Sequence, residues 1–339
     1  MSWFFERILL ALFSVAATLL FVEVAVRLVG LEKPPKHLKP QGMYLRDPEL
    51  GHVLAPNISV MHESADWVTR VSTNSFGFRD REVGPKGPHT FRILSLGDSY
   101  TFGYGVEAGD SYPEQLERFL NERAGKQPRF DVINAGVSGY GTIQEFLQLR
   151  RHVEAINPDL VILGFFTGND FENNLTFLGR FNRKFSGVGG WAADHVRLAA
   201  FLERTLKNAE IKMRTAESLD VALDVIADFA RLCKERGTPF AMMIITPPRA
   251  NLAEYHSRNS LRLTLDRAFG ANPLRLLEEF KKRTQTLGIP ILDTLELLQG
   301  MEDKGKLSFP VSGHWTPLAH RIVALKLRDW LVERGLVRP

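Results

Sequence analysis

Ser99 stands in Gly97-Asp98-Ser99-Tyr100-Thr101-Phe102-Gly103, where glycine permits a tight turn and the serine hydroxyl can face a crevice. A serine hydroxyl is a poor nucleophile until a base takes its proton, so chemistry here requires a histidine. Of the 9 histidines, His314 in Ser312-Gly313-His314-Trp315-Thr316-Pro317 lies in a loop just ahead of the last helical pattern. His320 falls inside that helix and reads as a surface or packing residue. His152, beside Arg151, reads the same way, and His256 sits in a long interval. Two other clusters could stabilise a developing oxyanion. Asn134 to Gly141 is glycine-rich, which lets a backbone N–H approach a ligand closely. Gly168-Asn169-Asp170 offers the Asn169 amide. Each cluster alone is as readily a plain turn, but three clusters after three successive strands form a joint pattern that turns do not predict.

The elements that must position these residues follow from hydrophobic patterning. Short apolar runs at Phe91 to Leu96, Phe130 to Asn134, Leu160 to Phe166, Phe240 to Ile245 and Ile289 to Leu292 read as strands buried on both faces. Helical patterns at Pro113 to Arg123, Ile143 to Ala155, Ser218 to Glu235, Pro273 to Leu287 and Pro317 to Arg334 alternate with them, the signature of an α/β fold with a mainly parallel sheet. Thr316 is the expected N-cap of the last helix, with Pro317 in its first turn. In such a sheet, ligands collect outside the carboxyl ends of the strands, which is where the three clusters fall. Asp98 and Asp170 read as turn-stabilising side chains, Phe165-Phe166 as core, and Arg150-Arg151 and Lys281-Lys282-Arg283 as solvated helix faces.

Around this domain, at 91–339, the chain divides further. The intervals at about 171–215 and 246–272 exceed normal connections and suggest a lid or substrate wall. Residues 43–90, with Asp47-Pro48-Glu49-Leu50-Gly51 and Asn74 to Asp80 as turns, predict a β-rich lead-in. Residues 31–42 are rich in Pro and Lys and read as an extended linker. Ile8 to Val22 carries no charge and is almost wholly apolar. As a helix it is shorter than a hydrocarbon core of roughly 30 Å, so a membrane span must extend to about Val29, with Glu23 and Arg27 pairing at i,i+4. Residues 1–30 are therefore expected to be a signal anchor, no small-x-small cleavage site following the run. Arg27, Lys33, Lys36 and Lys39 follow the span while Arg7 precedes it, which by charge counting alone favours a cytoplasmic main domain.

Composition narrows the function classes. The chain has 43 Lys and Arg against 39 Asp and Glu, a net charge of +4, and 44% hydrophobic residues. The charges are interspersed, which argues against a nucleic-acid partner. The single cysteine, Cys233, lies in an apolar helical pattern and is expected to be a buried, inert thiol.

Taken together, Gly97-Asp98-Ser99 with Thr101-Phe102-Gly103, Asn134 to Gly139, Gly168-Asn169-Asp170 and the late His314 resemble the four blocks of the SGNH, or GDSL-like, hydrolase superfamily, in order and spacing. The resemblance implies a flavodoxin-like three-layer α/β/α sandwich with a five-stranded sheet. It also implies ester hydrolysis through an acyl-enzyme, with no metal or organic cofactor. Position by position, Ser99 would be the nucleophile and His314 the general base and then acid. The Ser99 and Gly139 backbone N–H groups and the Asn169 side-chain amide would form the oxyanion hole. Membrane-anchored bacterial members act on cell-envelope or exported polysaccharide esters. On that basis the chain is expected in the inner membrane as a single-pass protein, its catalytic domain periplasmic or otherwise extracytoplasmic, with a carbohydrate or lipid-linked acyl ester as substrate.

One position departs from the family. Members usually place an aspartate two or three residues before the histidine, whereas Ser312 and Val311 stand here, and Trp315 follows where smaller residues are frequent. The group orienting His314 is then a backbone carbonyl, Ser312 Oγ, or an acid from elsewhere, Asp303 and Glu302 being nearest in sequence. The leading expectation is an esterase or deacylase. An O-acyltransferase of the same fold is the alternative, as is a glycan-binding or assembly factor, for which the missing aspartate is the support.

Overall fold

The computed structural model describes residues 2–29, 40–124, 127–181, 215–246, 273–298, 301 and 306–339. The chain separates into two compact units, Met1–Lys36 with Gly179–Met213, and His37–Leu178 with Arg214–Pro339. In the first unit Ser2–Val29 forms one helix, α1, of 28 residues. Its side chains at Leu12, Phe13, Val15, Leu20 and Phe21 are exposed. Among the described residues no helix is long and apolar enough to be assigned as a membrane span. The side chain of Arg27, expected to pair with Glu23, lies outside the described residues.

The second unit opens with two antiparallel hairpins. Tyr44–Asp47 (β1) pairs with Gly51–Leu54 (β2), and Ser59–Glu63 (β3) with Val68–Ser72 (β4). The turn between β1 and β2 is held by Asp47 Oδ1, which accepts the N–H groups of Glu49 and Leu50 at 3.0 and 2.7 Å. Arg151 donates to both Asp47 oxygens and to Glu49. Arg151 is thus the clamp that docks the first hairpin, not the solvated residue expected, and its guanidinium pulls the Asp47 carboxyl down to about 2.

Five parallel strands follow: Thr90–Gly97 (β5), Arg129–Asn134 (β6), Leu160–Phe166 (β7), Phe240–Ile245 (β8) and Ile291–Asp293 (β9). Their spatial order is β6-β5-β7-β8-β9. The chain leaves β5 to one side and returns on the other, so the switch point of the sheet lies at the carboxyl end of β5. Side chains alternate between two cores, as a period of two requires. Leu94 and Leu96 face Phe229 and Phe280, while Ile93 faces Leu116, Phe119 and Leu327. The first face is covered by Thr142–Ile156 (α4), Thr215–Glu235 (α6) and Pro273–Gln285 (α7). Tyr112–Ala124 (α3) and the final helix Pro317–Glu333 (α9) cover the other.

This is the expected three-layer α/β sandwich, with small departures. Pairing in β9 begins at Ile291 because Pro290 has no N–H to give a ladder and contributes only its carbonyl to Met242 N–H. Thr316 is the N-cap of α9, but its hydroxyl donates to Lys306 O at 2.6 Å and caps nothing. Four unexpected elements are short or follow loops: Ser99–Phe102 (α2), a 3-10 turn at Ala108–Asp110, Asp170–Phe181 (α5), and Thr294–Leu298 (α8). Of the intervals at about 171–215 and 246–272 expected to form a lid or substrate wall, residues 182–214 and 247–272 lie outside the described residues.

Candidate active site

At the end of β5 the backbone has no room for a side chain. A Cβ on Gly97 would fall 2.1 Å from Thr101 Oγ1 and 2.9 Å from Gly164 O, so only glycine lets α2 fold back against the sheet. Asp98 caps that helix, its carboxyl accepting Tyr100 N–H at 2.9 Å, the hydrogen bond expected of an N-cap aspartate. Ser99 is consequently the first helical residue at the switch point, 6% exposed. The far end of α2 is held by Arg79. Its buried guanidinium donates to Phe102 O and Gly103 O at 3.2 and 2.7 Å, and to Val106 O and Arg70 O at 2.7 and 3.0 Å. Burial pushes Arg79 down to about 10, leaving it a cation at neutral pH.

His314 Nε2 lies 2.8 Å from Ser99 Oγ, across 215 residues of sequence. The loop bearing it is tied back on itself, Phe309 N–H donating to His314 O at 2.8 Å and Gly313 N–H to Phe309 O at 2.9 Å. The imidazole packs against Tyr100 and Tyr104, with ring centroids 5.1 and 4.5 Å away. Tyr100 Oη also donates to Gly313 O at 3.2 Å. Ser312 Oγ, one of the groups expected to orient the imidazole, instead accepts the His314 backbone N–H at 3.4 Å, which fixes the chain and not the ring. Asp303 and Glu302 lie outside the described residues. A carboxylate is nevertheless present on this loop. Asp66, in the turn of the second hairpin, accepts Val311 N–H at 3.0 Å and Ser312 N–H at 2.7 Å.

Of the expected oxyanion donors, Gly139 sits on the turn after β6 and Asn169 on the turn after β7. Gly139 has φ +87, a conformation other residues rarely adopt. A Cβ there would meet only His52 Nε2, at 4.0 Å, so the space over this glycine is open. Asn169 precedes α5 and receives Asn173 N–H on its carbonyl at 2.7 Å. Asn169 and the Ser99 backbone lie near enough to the Asp98 carboxyl to favour its charged form. That carboxyl also accepts from Ser99 Oγ at 3.2 Å.

Asp98 is fully buried, and desolvation raises its carboxyl to about 6 despite those hydrogen bonds. Behind it Glu145 and Asp170 are buried as well, and desolvation with mutual repulsion holds both well above the ordinary carboxylate range. Asp170 accepts Phe166 N–H at 2.8 Å, the local role expected of it. Among the described residues no group of three or more His, Cys, Asp or Glu is placed to hold a metal ion.

The bystanders fall mostly where expected. Cys233 is buried, its thiol pushed up to about 12 by desolvation. His152 packs edge-on against Phe76 and Phe78 and is pushed down to about 4 by burial. His320 is a core histidine whose Nδ1 accepts Tyr112 N–H at 3.2 Å. Phe165 is core, stacked on Phe280. Phe166 is not: its ring lies 4.4 Å from that of Tyr100, at the edge of the site. Lys281 pairs with Asp293 and Arg283 with Asp220, so two of the three expected solvated cations are engaged. His256 lies outside the described residues. His52, Asp66 and Arg79 carry no signal in local spacing, because their partners are far away in sequence.

A serine hydroxyl in contact with a histidine at the carboxyl edge of a doubly covered parallel sheet is an arrangement found in serine hydrolases. Residues 95–322 match the GDSL-like lipase/acylhydrolase family, and the chain belongs to that family of ester hydrolases. Among solved structures it is similar to a psychrotrophic esterase, EstA, from Pseudoalteromonas sp. The two are 13% identical, with 73% of this chain and 99% of that one covered, at a TM-score of 0.44. An acetyl xylan esterase, AlAXEase, is 13% identical over 70% and 98% of the two chains, at a TM-score of 0.42. A lipase/acylhydrolase from Enterococcus faecalis is 14% identical over 72% and 96%, at 0.39. Among curated proteins none matches.

Proposed function

We propose that the chain hydrolyses a small acyl ester on a carbohydrate or lipid-linked envelope substrate through an acyl-enzyme on Ser99. The observation that carries this reading is the 2.8 Å approach of His314 Nε2 to Ser99 Oγ. In the proposed cycle the Ser99 hydroxyl gives its proton to His314 Nε2 as Oγ bonds to the acyl carbon. The carbonyl oxygen becomes an oxyanion that accepts from the Ser99 and Gly139 backbone N–H groups and the Asn169 amide. His314 then returns the proton to the departing alkoxide, leaving the acyl group on Ser99. Water attacks that ester, its proton again going to Nε2, and collapse of the second tetrahedral intermediate frees the acid and regenerates the serine.

In the same proposal α1 is a single-pass anchor in the inner membrane, with the hydrolase domain extracytoplasmic. Support comes from the exposed apolar side chains along α1 and the uncharged run from Ile8 to Val22. Sedimentation with membranes after carbonate washing, and protease access from the outer side, test the anchor. For the chemistry, the wild-type protein should turn over acetyl esters and react at one site with a fluorophosphonate. Ser99→Ala should do neither. Turnover surviving in that variant rejects the reading, and acyl transfer to an added sugar in place of water would redirect it to an O-acyltransferase.

A further inference from the structure

We infer that the two N-terminal hairpins are positioning elements of the catalytic site, His52 holding the peptide that presents Gly139 N–H and Asp66 holding the loop that presents His314. The inference rests on the reading of Ser99 and His314 as the reacting pair. Both residues precede the segment that matches the family, residues 95–322.

His52 Nε2 lies 3.2 Å from Ser138 O. A carbonyl oxygen can only accept, so Nε2 carries the proton and donates. Ser138 C=O and Gly139 N–H belong to one planar peptide, which makes a bond to the oxygen a constraint on where the N–H points. It also polarises the amide in the sense that strengthens its donation, since hydrogen bonds in a chain reinforce one another. The imidazole is itself fixed, packed edge-on against Tyr44 and Tyr140 with centroids 5.4 and 5.1 Å away. Tyr140 Oη returns to the hairpin by donating to His52 O at 2.7 Å. Further along the same turn Asn173 Nδ2 donates to Tyr140 O at 3.0 Å. The oxyanion turn is thereby gripped from β2 and from α5.

Asp66 performs the parallel task for the base. Its carboxylate takes the backbone N–H groups of Val311 and Ser312, the two positions where members of the family usually carry an aspartate. A negative charge returns to this loop from another part of the chain, bonded to the backbone just before His314. The next residue, Trp67, packs on Tyr104 at 4.9 Å, and Tyr104 packs on the His314 ring at 4.5 Å. Backbone and ring are thus both registered against the second hairpin.

The test is steady-state hydrolysis of p-nitrophenyl acetate by the full chain, with kcat expressed per site that a fluorophosphonate labels, and melting followed in parallel. His52→Phe keeps the ring packing and removes the donor, whereas His52→Gln replaces the donor. Removing an oxyanion donor outright costs about 100- to 1000-fold, so releasing its orientation should cost less: about 10-fold in kcat for His52→Phe, with KM within about 2-fold. His52→Gln should recover most of the loss. Asp66→Ala should lower kcat by about 10- to 30-fold, Asp66→Asn by less because one acceptor oxygen remains. A structural role alone would lower the labelled fraction and the melting point but leave kcat per labelled site unchanged. That result, with Ser99→Ala inactive, overturns the inference; turnover persisting in Ser99→Ala overturns the underlying reading instead.

Discussion

The sheet and the hairpins contribute to one site in opposite ways. Ser99, Gly139 and Asn169 each follow a parallel strand whose faces are buried in cores built by the sheet and its helices. Their placement comes with the fold. Met43, Leu50, Leu54, Trp67 and Val71 of the hairpins pack instead with Phe102, Tyr104, Val137 and Tyr140, which belong to the loops around the site. The hairpins have no separate interior, and what they bury is the site's own supporting turns. Sites on rigid elements are placed to within a few tenths of an ångström by packing and by the hydrogen bonds behind them. Here the sheet supplies the reacting groups and the hairpins supply much of that backing.

The largest effect that would break this division is on chemistry without stability. Ser99→Ala should reduce kcat by on the order of 10⁴-fold or more while leaving the melting point within about a degree. His314→Ala should do nearly the same, and the double variant should be no worse than either, because the two act as a unit. Kinetics of the three proteins on one acyl ester decide it; multiplicative losses would mean that the pair does not work together. Next, Asn169→Ala should lower kcat by about 100- to 1000-fold with little change in KM. A much smaller loss would mean that the Asn169 amide does not donate to the oxyanion.

The hairpin side should show the reverse order of effects. Arg79→Met leaves the carbonyls of Phe102, Gly103 and Val106 without their shared donor. Unsatisfied buried acceptors are costly, so destabilisation on the order of 3 kcal/mol is expected, read as a melting point several degrees lower with one cooperative transition. Two separate transitions would show that the hairpins melt on their own and would contradict a shared core.

The same contrast governs what was legible in the sequence. All five strands and the five long helices were readable because both-face burial writes continuous apolar runs and helix faces write a 3.6 period. The Ser99–His314 contact was readable because each residue lies in a short block at a strand or helix boundary. Nothing local marks His52, Asp66 or Arg79. Their partners are backbone carbonyls and N–H groups, which every residue has, so no complementary side chain exists to be recognised. Arg151 was misjudged for a related reason: a helix pattern shows which face is polar but not that Asp47 and Glu49 will meet it.

The smallest effect separates the regions by pH. His320, in the core between α9 and α3, is pushed down to about 3, by burial first and then by the neighbouring charges of His314 and Arg79. A histidine whose folded pKa lies below its unfolded value stabilises fully above about pH 6.5 and loses that contribution as pH falls toward 3. Between pH 7 and pH 5 the loss amounts to about 2 kcal/mol. Asp98 runs the other way: its pKa is raised, so its contribution is full below about pH 4 and disappears as pH rises through about 6. Because the two oppose each other, the wild-type profile alone is uninformative, and the difference between wild type and His320→Asn isolates the histidine. Asparagine can still accept Tyr112 N–H but does not titrate, so the wild type's advantage at pH 7 should shrink by about 2 kcal/mol at pH 5. Docking of the first hairpin should not respond in this window. Arg151 has drawn the Asp47 carboxyl down to about 2, so that contribution is intact above about pH 4 and fades only as pH falls through 2. The melting-point loss of Arg151→Met should therefore be the same at pH 7 and pH 5, and an Arg151→Met loss that shrank in step with His320→Asn would mean that the hairpin and the sheet respond to pH as one body.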